Sequence, residues 1–172
     1  MEKEFSNHEI CVCAHLTQTR YAQRTCAGMG KIMTEKKDWS TLISEALEAR
    51  KNAYVPYSHY TVGAALLCED GEIIRGCNIE NATYGATNCA ERTAFFNAVS
   101  RGKRKFTALA ITGGMEGAEP TDYAYPCGIC RQVIKEFCAD DFIIIVAKSM
   151  TEYEEYRLQE LLPHGFGGES IR

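Results

Sequence analysis

Cys89-Ala90-Glu91 and, well downstream, Pro126-Cys127-Gly128-Ile129-Cys130 constrain this chain more than any other feature. Their three thiolates can grip one metal ion only if the fold brings both segments to a single point. Structural zinc normally takes four protein ligands, whereas catalytic zinc takes three and keeps one position for solvent. These segments supply three sulfurs, and Glu91 adds a carboxylate near Cys89 able to carry protons to and from metal-held water. Metal-assisted hydrolysis is the expected chemistry.

The spacing also says where the site must lie. Cys127 and Cys130 are three apart at a helix start, so their sulfurs share one side of the first turn. Cys89 and Glu91 are two apart and would diverge inside a helix, so their common site has to lie in front of a helix N-terminus. There the unpaired N–H groups and the positive end of the dipole favour thiolate over thiol. Three thiolates leave a divalent zinc cluster with a net charge of about −1. Arg92 or Arg131 could offset that charge by donating to sulfur, and Arg92 is favoured; the competing reading leaves both on solvated helix faces. The structural alternative is an all-cysteine staple with Cys68, Cys77 or Cys138 as the fourth ligand. Those three fall in predicted strands or at a helix end, where cysteine behaves as a small buried hydrophobe. A redox-active C-x-x-C is disfavoured by the preceding proline and by the partner C-A-E segment.

Periodicity predicts an amphipathic helix over 39–53, with Asp38 or Ser40 as cap and Pro56 as terminator. Strands at 60–68 and 72–78 flank Asp70-Gly71, a turn pair typical of hairpins. A helix at 89–100, a strand at 106–112, a helix at 127–138 and a strand at 142–147 follow. Residues 113–125, rich in glycine, are expected to form a surface loop, and 153–162 a final strand with a short helix. Such alternation folds most simply as an α/β protein, a three-layer α/β/α sandwich around a mixed sheet. Residues 1–35 show no periodicity and are expected to be an N-terminal extension, either an appended arm or an upstream extension of the reading frame, with the domain at 36–172. Cys11, Cys13, His15 and Cys26 in that stretch lack the distant second pair that a further metal site would need.

The 172 residues fit one domain with enough length for a single core. Apolar residues at 45% and charged residues at 24% argue against disorder, and the longest apolar stretch, 142–147, cannot cross a bilayer. The net charge of −4 gives no support to a nucleic-acid or other polyphosphate partner. An odd total of nine cysteines, three of them in the metal motif, needs a reducing compartment, so a cytoplasmic location is expected. The first residues lack an apolar run of signal-peptide length.

Beyond the metal segments, Tyr57-Ser58 before Val62-Gly63-Ala64-Ala65-Leu66, the block Gly76-Cys77-Asn78-Ile79-Glu80-Asn81-Ala82, and Cys130-Arg131-Gln132 complete a pattern. From about residue 39 to 166 the chain resembles the small zinc-dependent cytidine deaminases, in the all-thiolate C-A-E version rather than the H-A-E version of the zinc deaminase signature. The resemblance implies hydrolytic deamination of cytidine and deoxycytidine to uridine and deoxyuridine with release of ammonia, as in pyrimidine salvage. It implies one zinc per subunit on Cys89, Cys127 and Cys130, with zinc-bound hydroxide attacking C4 of the base and Glu91 shuttling the protons. Asn78 and Glu80 are then expected to bind the ribose hydroxyls, and the segment through Asn81, Ala82 and Tyr84 to line the nucleoside pocket together with Ala90. Tyr60 stands where the family commonly has a phenylalanine against the pyrimidine. Phe166, in Leu161-Leu162-Pro163-His164-Gly165-Phe166, matches an aromatic that closes a neighbouring subunit's pocket, which implies a homotetramer.

Two rivals remain at this level beside a third, a nucleic-acid editor, which the acidic balance disfavours. A deaminase of a modified cytosine nucleoside, of the blasticidin type, resembles the same metal segments, although the block from Asn78 to Ala82 favours cytidine. The other is a catalytically silent zinc protein that serves as an interaction module.

Overall fold

The computed structural model describes residues 37–171, so the readings made for the N-terminal extension, including Cys11, Cys13, His15 and Cys26, lie outside the described residues. The elements run α1 (Ser40–Arg50), β1 (Tyr60–Cys68), β2 (Ile73–Cys77), α2 (Ala90–Ser100), β3 (Phe106–Met115), α3 (Gly128–Phe137), β4 (Ile143–Ala147), β5 (Tyr153–Arg157) and α4 (Leu158–Leu161). A single 3-10 turn, Tyr84–Ala86, precedes α2, and another, Gly168–Ile171, ends the described chain.

The five strands form one mixed sheet in the order β2-β1-β3-β4-β5. Three of the four pairings are antiparallel; β3 and β4, joined through α3, are parallel, as a helical crossover requires. Strand alternation divides the core between two faces. Ala65, Ala108, Ala110, Ile145 and Ala147 point to the face that packs α1 through Trp39, Leu42, Ile43 and Ala46. Leu66, Leu109, Ile111, Ile144 and Val146 point to the other, which packs α2, α3 and α4. The small side chains under α1 let that helix sit close, and Phe95 anchors α2 by meeting Phe106, Phe137 and Phe142 at ring distances of 5.1, 5.9 and 6.4 Å. This is the expected α/β/α sandwich.

Several boundaries differ from expectation for physical reasons. The first helix stops at Arg50, because the amides of Asn52 and Ala53 turn back to Ala49 and Arg50 instead of continuing the helical ladder. Neither Asp38 nor Ser40 is the N-cap; Trp39 holds that position, although the Asp38 carboxylate does accept the Ser40 amide at 2.9 Å. The third strand runs on through Gly113 and Gly114 to Met115 and pairs with β1 as far as Tyr60, where a loop was expected. A Cβ on Gly113 would lie 2.7 Å from Ala124 Cβ and 3.1 Å from the Tyr60 ring; one on Gly114 would lie 3.0 Å from Arg50 Nη2. These glycines therefore mark close approach of neighbours rather than a turn.

Candidate active site

Both metal segments fold as the spacing requires. Cys89 is the N-cap of α2 and Cys127 the N-cap of α3, both with extended backbone, so each sulfur stands in front of its helix rather than along it. Cys130, one turn into α3, is buried, and its amide donates to Cys127 Sγ at 3.5 Å. The sulfurs of Cys89 and Cys127 are 3.9 Å apart, and all three sulfurs lie within 4.8 Å of one another. Among the described residues no other group of three or more potential ligands comes together, and Cys68, Cys77 and Cys138 stay apart as free thiols. The donor set therefore fits a zinc ion with three protein ligands, and the four-cysteine staple finds no fourth sulfur here.

Glu91 lies in the first turn of α2 and is 4% exposed. Burial pushes its carboxyl up to about 7, and the neighbouring Cys89 charge adds to the effect. Cys89 itself is drawn down to about 5, chiefly by its hydrogen bond with the Cys130 thiol, then by Arg92 and Cys127. Cys130 moves the other way, because Cys89 takes the charge of the pair and burial disfavours a second thiolate. Arg92 Nη2 lies 3.6 Å from Cys89 Sγ and donates to the Thr87 carbonyl at 2.9 Å. Arg131 instead donates to the carbonyls of Pro126 and Leu161, at 2.8 and 2.6 Å. Among the described residues, Arg92 is therefore the arginine that reaches a cluster sulfur, while Arg131 is turned to backbone carbonyls.

A cavity of about 350 Å³ opens at the cluster, lined by Cys89, Ala90, Glu91 and Cys127 on the metal side. Tyr60, Val62, Asn78 and Ile111 form part of its other walls. Asn78 follows β2 and continues its pairing through its side chain: Oδ1 accepts the Val62 amide at 2.8 Å and Nδ2 donates to the Tyr60 carbonyl at 2.9 Å. One N–H and one lone pair of the amide remain available to a ligand. Ala90, the first residue of α2, lines the cavity and has no exposed surface.

The remaining expected contacts are distributed differently. Glu80 and Tyr84 line an adjoining recess with Tyr57 and Ser58, and Thr87 belongs to both spaces. Amides of Tyr57 and Ser58 donate to the Glu80 carboxylate at 3.0 and 3.2 Å, and the Ser58 hydroxyl and these amides hold it below the usual carboxylate range. Asn81 and Ala82 are exposed and line neither space; Asn81 Oδ1 accepts the Thr83 amide at 2.9 Å. Phe166 is 57% exposed, and its carbonyl accepts from Gln132 Nε2 at 2.7 Å. Sequence reasoning missed Tyr125 and Ala124, which also line the main cavity. Their proximity to Cys127 was the available signal.

The comparisons with known proteins agree with this geometry. A family model described as the cytidine and deoxycytidylate deaminase zinc-binding region matches residues 35–146. A cytidine deaminase of Sporosarcina psychrophila is 51% identical over 134 residues, covering 78% of this chain and 95% of its own length. One from Halalkalibacterium halodurans is 48% identical over 134 residues, 78% of this chain and 98% of the relative. The crystal structure of a Burkholderia pseudomallei cytidine deaminase superposes with a TM-score of 0.66 at 42% identity, covering 73% of this chain and 97% of that one. With a three-sulfur cluster at two helix N-termini and this degree of similarity, the chain belongs to the cytidine and deoxycytidylate deaminase zinc-binding family.

Proposed function

We propose that this enzyme hydrolyses the exocyclic amine of cytidine and deoxycytidine, giving uridine or deoxyuridine and ammonia. The observation that carries the reading is the buried Glu91 carboxylate beside three clustered sulfurs, at the wall of a cavity large enough for a pyrimidine nucleoside. Cys89, Cys127 and Cys130 would hold zinc, which when bound supplies water acidified to near neutral pH. Over the reaction two protons leave the water oxygen, and both must reach the base. Glu91 is placed to deliver one to N3 and the second to the departing N4 amine. Arg92 would temper the negative cluster through Cys89 Sγ.

Tyr60 offers a ring face to the base, and the free amide positions of Asn78 suit a ribose hydroxyl. A ribose reaching past Thr87 into the adjoining recess would meet Glu80 and Tyr84. The exposed aromatic and aliphatic surface of Tyr54, Tyr57, Ile79, Tyr84 and Phe166 supports assembly into a homotetramer in which Phe166 closes a neighbouring copy's pocket, with Asn81 and Ala82 on the same boundary.

The test is the loss of cytidine absorbance alongside zinc quantitation, with blasticidin S assayed in parallel. Turnover of cytidine by zinc-loaded protein and far slower loss of blasticidin S are expected; the reverse preference would overturn the substrate assignment. Light scattering checks the assembly, since a fully active monomer would remove any role for Phe166 in trans.

A further inference from the structure

The wall of the cavity beside Cys127 is built unlike the rest. Tyr125 lines the cavity two residues before Cys127, and among the described residues it is the only aromatic lining residue that close in sequence to a sulfur. Its hydroxyl donates to Glu154 Oε2 at 2.5 Å, and the Tyr156 hydroxyl donates to the same oxygen at 2.6 Å. The Tyr125 ring also meets Tyr156 edge-on at 5.9 Å and Tyr123 at 6.3 Å. Glu154 and Tyr156 stand two apart on β5, an edge strand, and so point to one face of the sheet. A ring from the segment between β3 and α3 is thereby fixed to the sheet by a carboxylate shared between two phenols.

The reacting geometry says what such a wall would meet. The carbon under attack must sit at the sulfur cluster and Glu91, so the amine on that carbon lies among the groups around the cluster. Ala90 and Ala124 there are small, whereas Tyr125 is bulky and anchored. Resting on the deaminase reading, we propose that Tyr125 is a specificity-determining residue that limits the space beside the exocyclic amine, and that Glu154 is the residue that positions it. The cavity then takes cytosine nucleosides with an unsubstituted amine and rejects N4-alkylated ones.

The experiment compares kcat/KM for cytidine with that for N4-methylcytidine, whose hydrolysis by one water gives uridine and methylamine. In Tyr125→Ala the ratio of N4-methylcytidine to cytidine should rise about tenfold, the discrimination one methyl group typically carries in an apolar pocket. Glu154→Ala should move the ratio in the same direction, and Glu154→Gln, which keeps an acceptor oxygen, should bring it back toward that of the unaltered enzyme. Tyr125→Leu provides the same comparison if the alanine variant does not fold. A ratio within twofold of the unaltered enzyme in the folded Tyr125 variant, with cytidine still turned over, would overturn the proposal. So would a Glu154→Gln variant as relaxed as Glu154→Ala. If the unaltered zinc-loaded enzyme turned over neither nucleoside, the deaminase reading itself would fail and this inference with it.

Discussion

Gly76 ties the position of the active site to the packing of one helix on one strand. A Cβ built there would lie 2.4 Å from the Ala90 carbonyl oxygen, 2.4 Å from the Ala94 nitrogen and 2.9 Å from Ala94 Cα. All three are backbone atoms of α2, so no side chain can swing away. Ordinary contact begins near 3.4 Å, so Gly76→Ala obliges α2 to recede from β2 by about 1 Å. Overpacking of this kind costs roughly 1–3 kcal/mol, which for a chain of this size lowers Tm by about 4–8 °C at the middle of that range. The same shift moves Cys89 and Glu91, which α2 carries at its start, relative to Cys127 and Cys130 on α3. A displacement of about 1 Å at a reacting centre can cost on the order of 100-fold in rate.

The control is Gly63→Ala, where the added carbon would lie 2.0 Å from the Ala46 carbonyl oxygen and 2.5 Å from the Arg50 nitrogen. It lifts α1, on the opposite face of the sheet, and α1 carries none of the proposed site residues. Thermal unfolding by circular dichroism and kcat/KM for cytidine should therefore separate the two variants. Both lose stability, but only Gly76→Ala loses about 100-fold in kcat/KM while folded, and Gly63→Ala loses less than about tenfold. Equal losses of activity in the two, or Gly76→Ala with a lowered Tm and kcat/KM within twofold of the unaltered enzyme, would refute the reasoning.

Other outcomes follow from single groups. Glu91→Gln keeps the shape of a buried side chain but cannot relay protons, so kcat should fall by about 10²–10⁴ with zinc content unchanged by atomic absorption. Arg92→Gln removes the contact to Cys89 Sγ, and should speed zinc loss to a chelator or lower turnover; no change in either would remove the assigned role. Stripping zinc should lower Tm, because a metal held only by the folded arrangement of three sulfurs within 4.8 Å stabilises that arrangement by mass action, and zinc rather than magnesium should restore it. Burial pushes the Cys138 thiol up to about 12, so near pH 8.5 only on the order of one molecule in a thousand or fewer carries its thiolate; alkylation followed by peptide mapping should find it spared in the folded protein.

The parts of this fold legible in the sequence are those where one local signal dominates. The first strand, at 60–68, carries β-branched and apolar residues up to the Asp70-Gly71 turn, and Gly71 takes the positive φ of 88° that such a turn needs. The metal centre was legible because thiolate chemistry permits few arrangements, and the two-residue offset of Cys89 from Glu91 already required a helix N-terminus. What stayed hidden depends on partners distant in sequence. Gly113 and Gly114 look like loop residues until Tyr60, Ala124 and Arg50 are seen pressed against them. Arg50, at the end of an exposed-looking helix, is instead buried, donating to Thr61 Oγ1 and to the carbonyls of Met115 and Ala118 at 2.7–2.8 Å. No periodicity announces such a clasp. The separation of Glu80 and Tyr84 from the main cavity was equally invisible, since it follows from how the 78–88 segment bridges to Tyr54 and folds back on itself.

X-ray absorption at the zinc edge of the resting, metal-loaded enzyme tests the central claim most directly. The account predicts three sulfur scatterers at about 2.3 Å and one light scatterer, the geometry of three thiolates with a position left for solvent. Four sulfurs, or a nitrogen-rich shell, would contradict it.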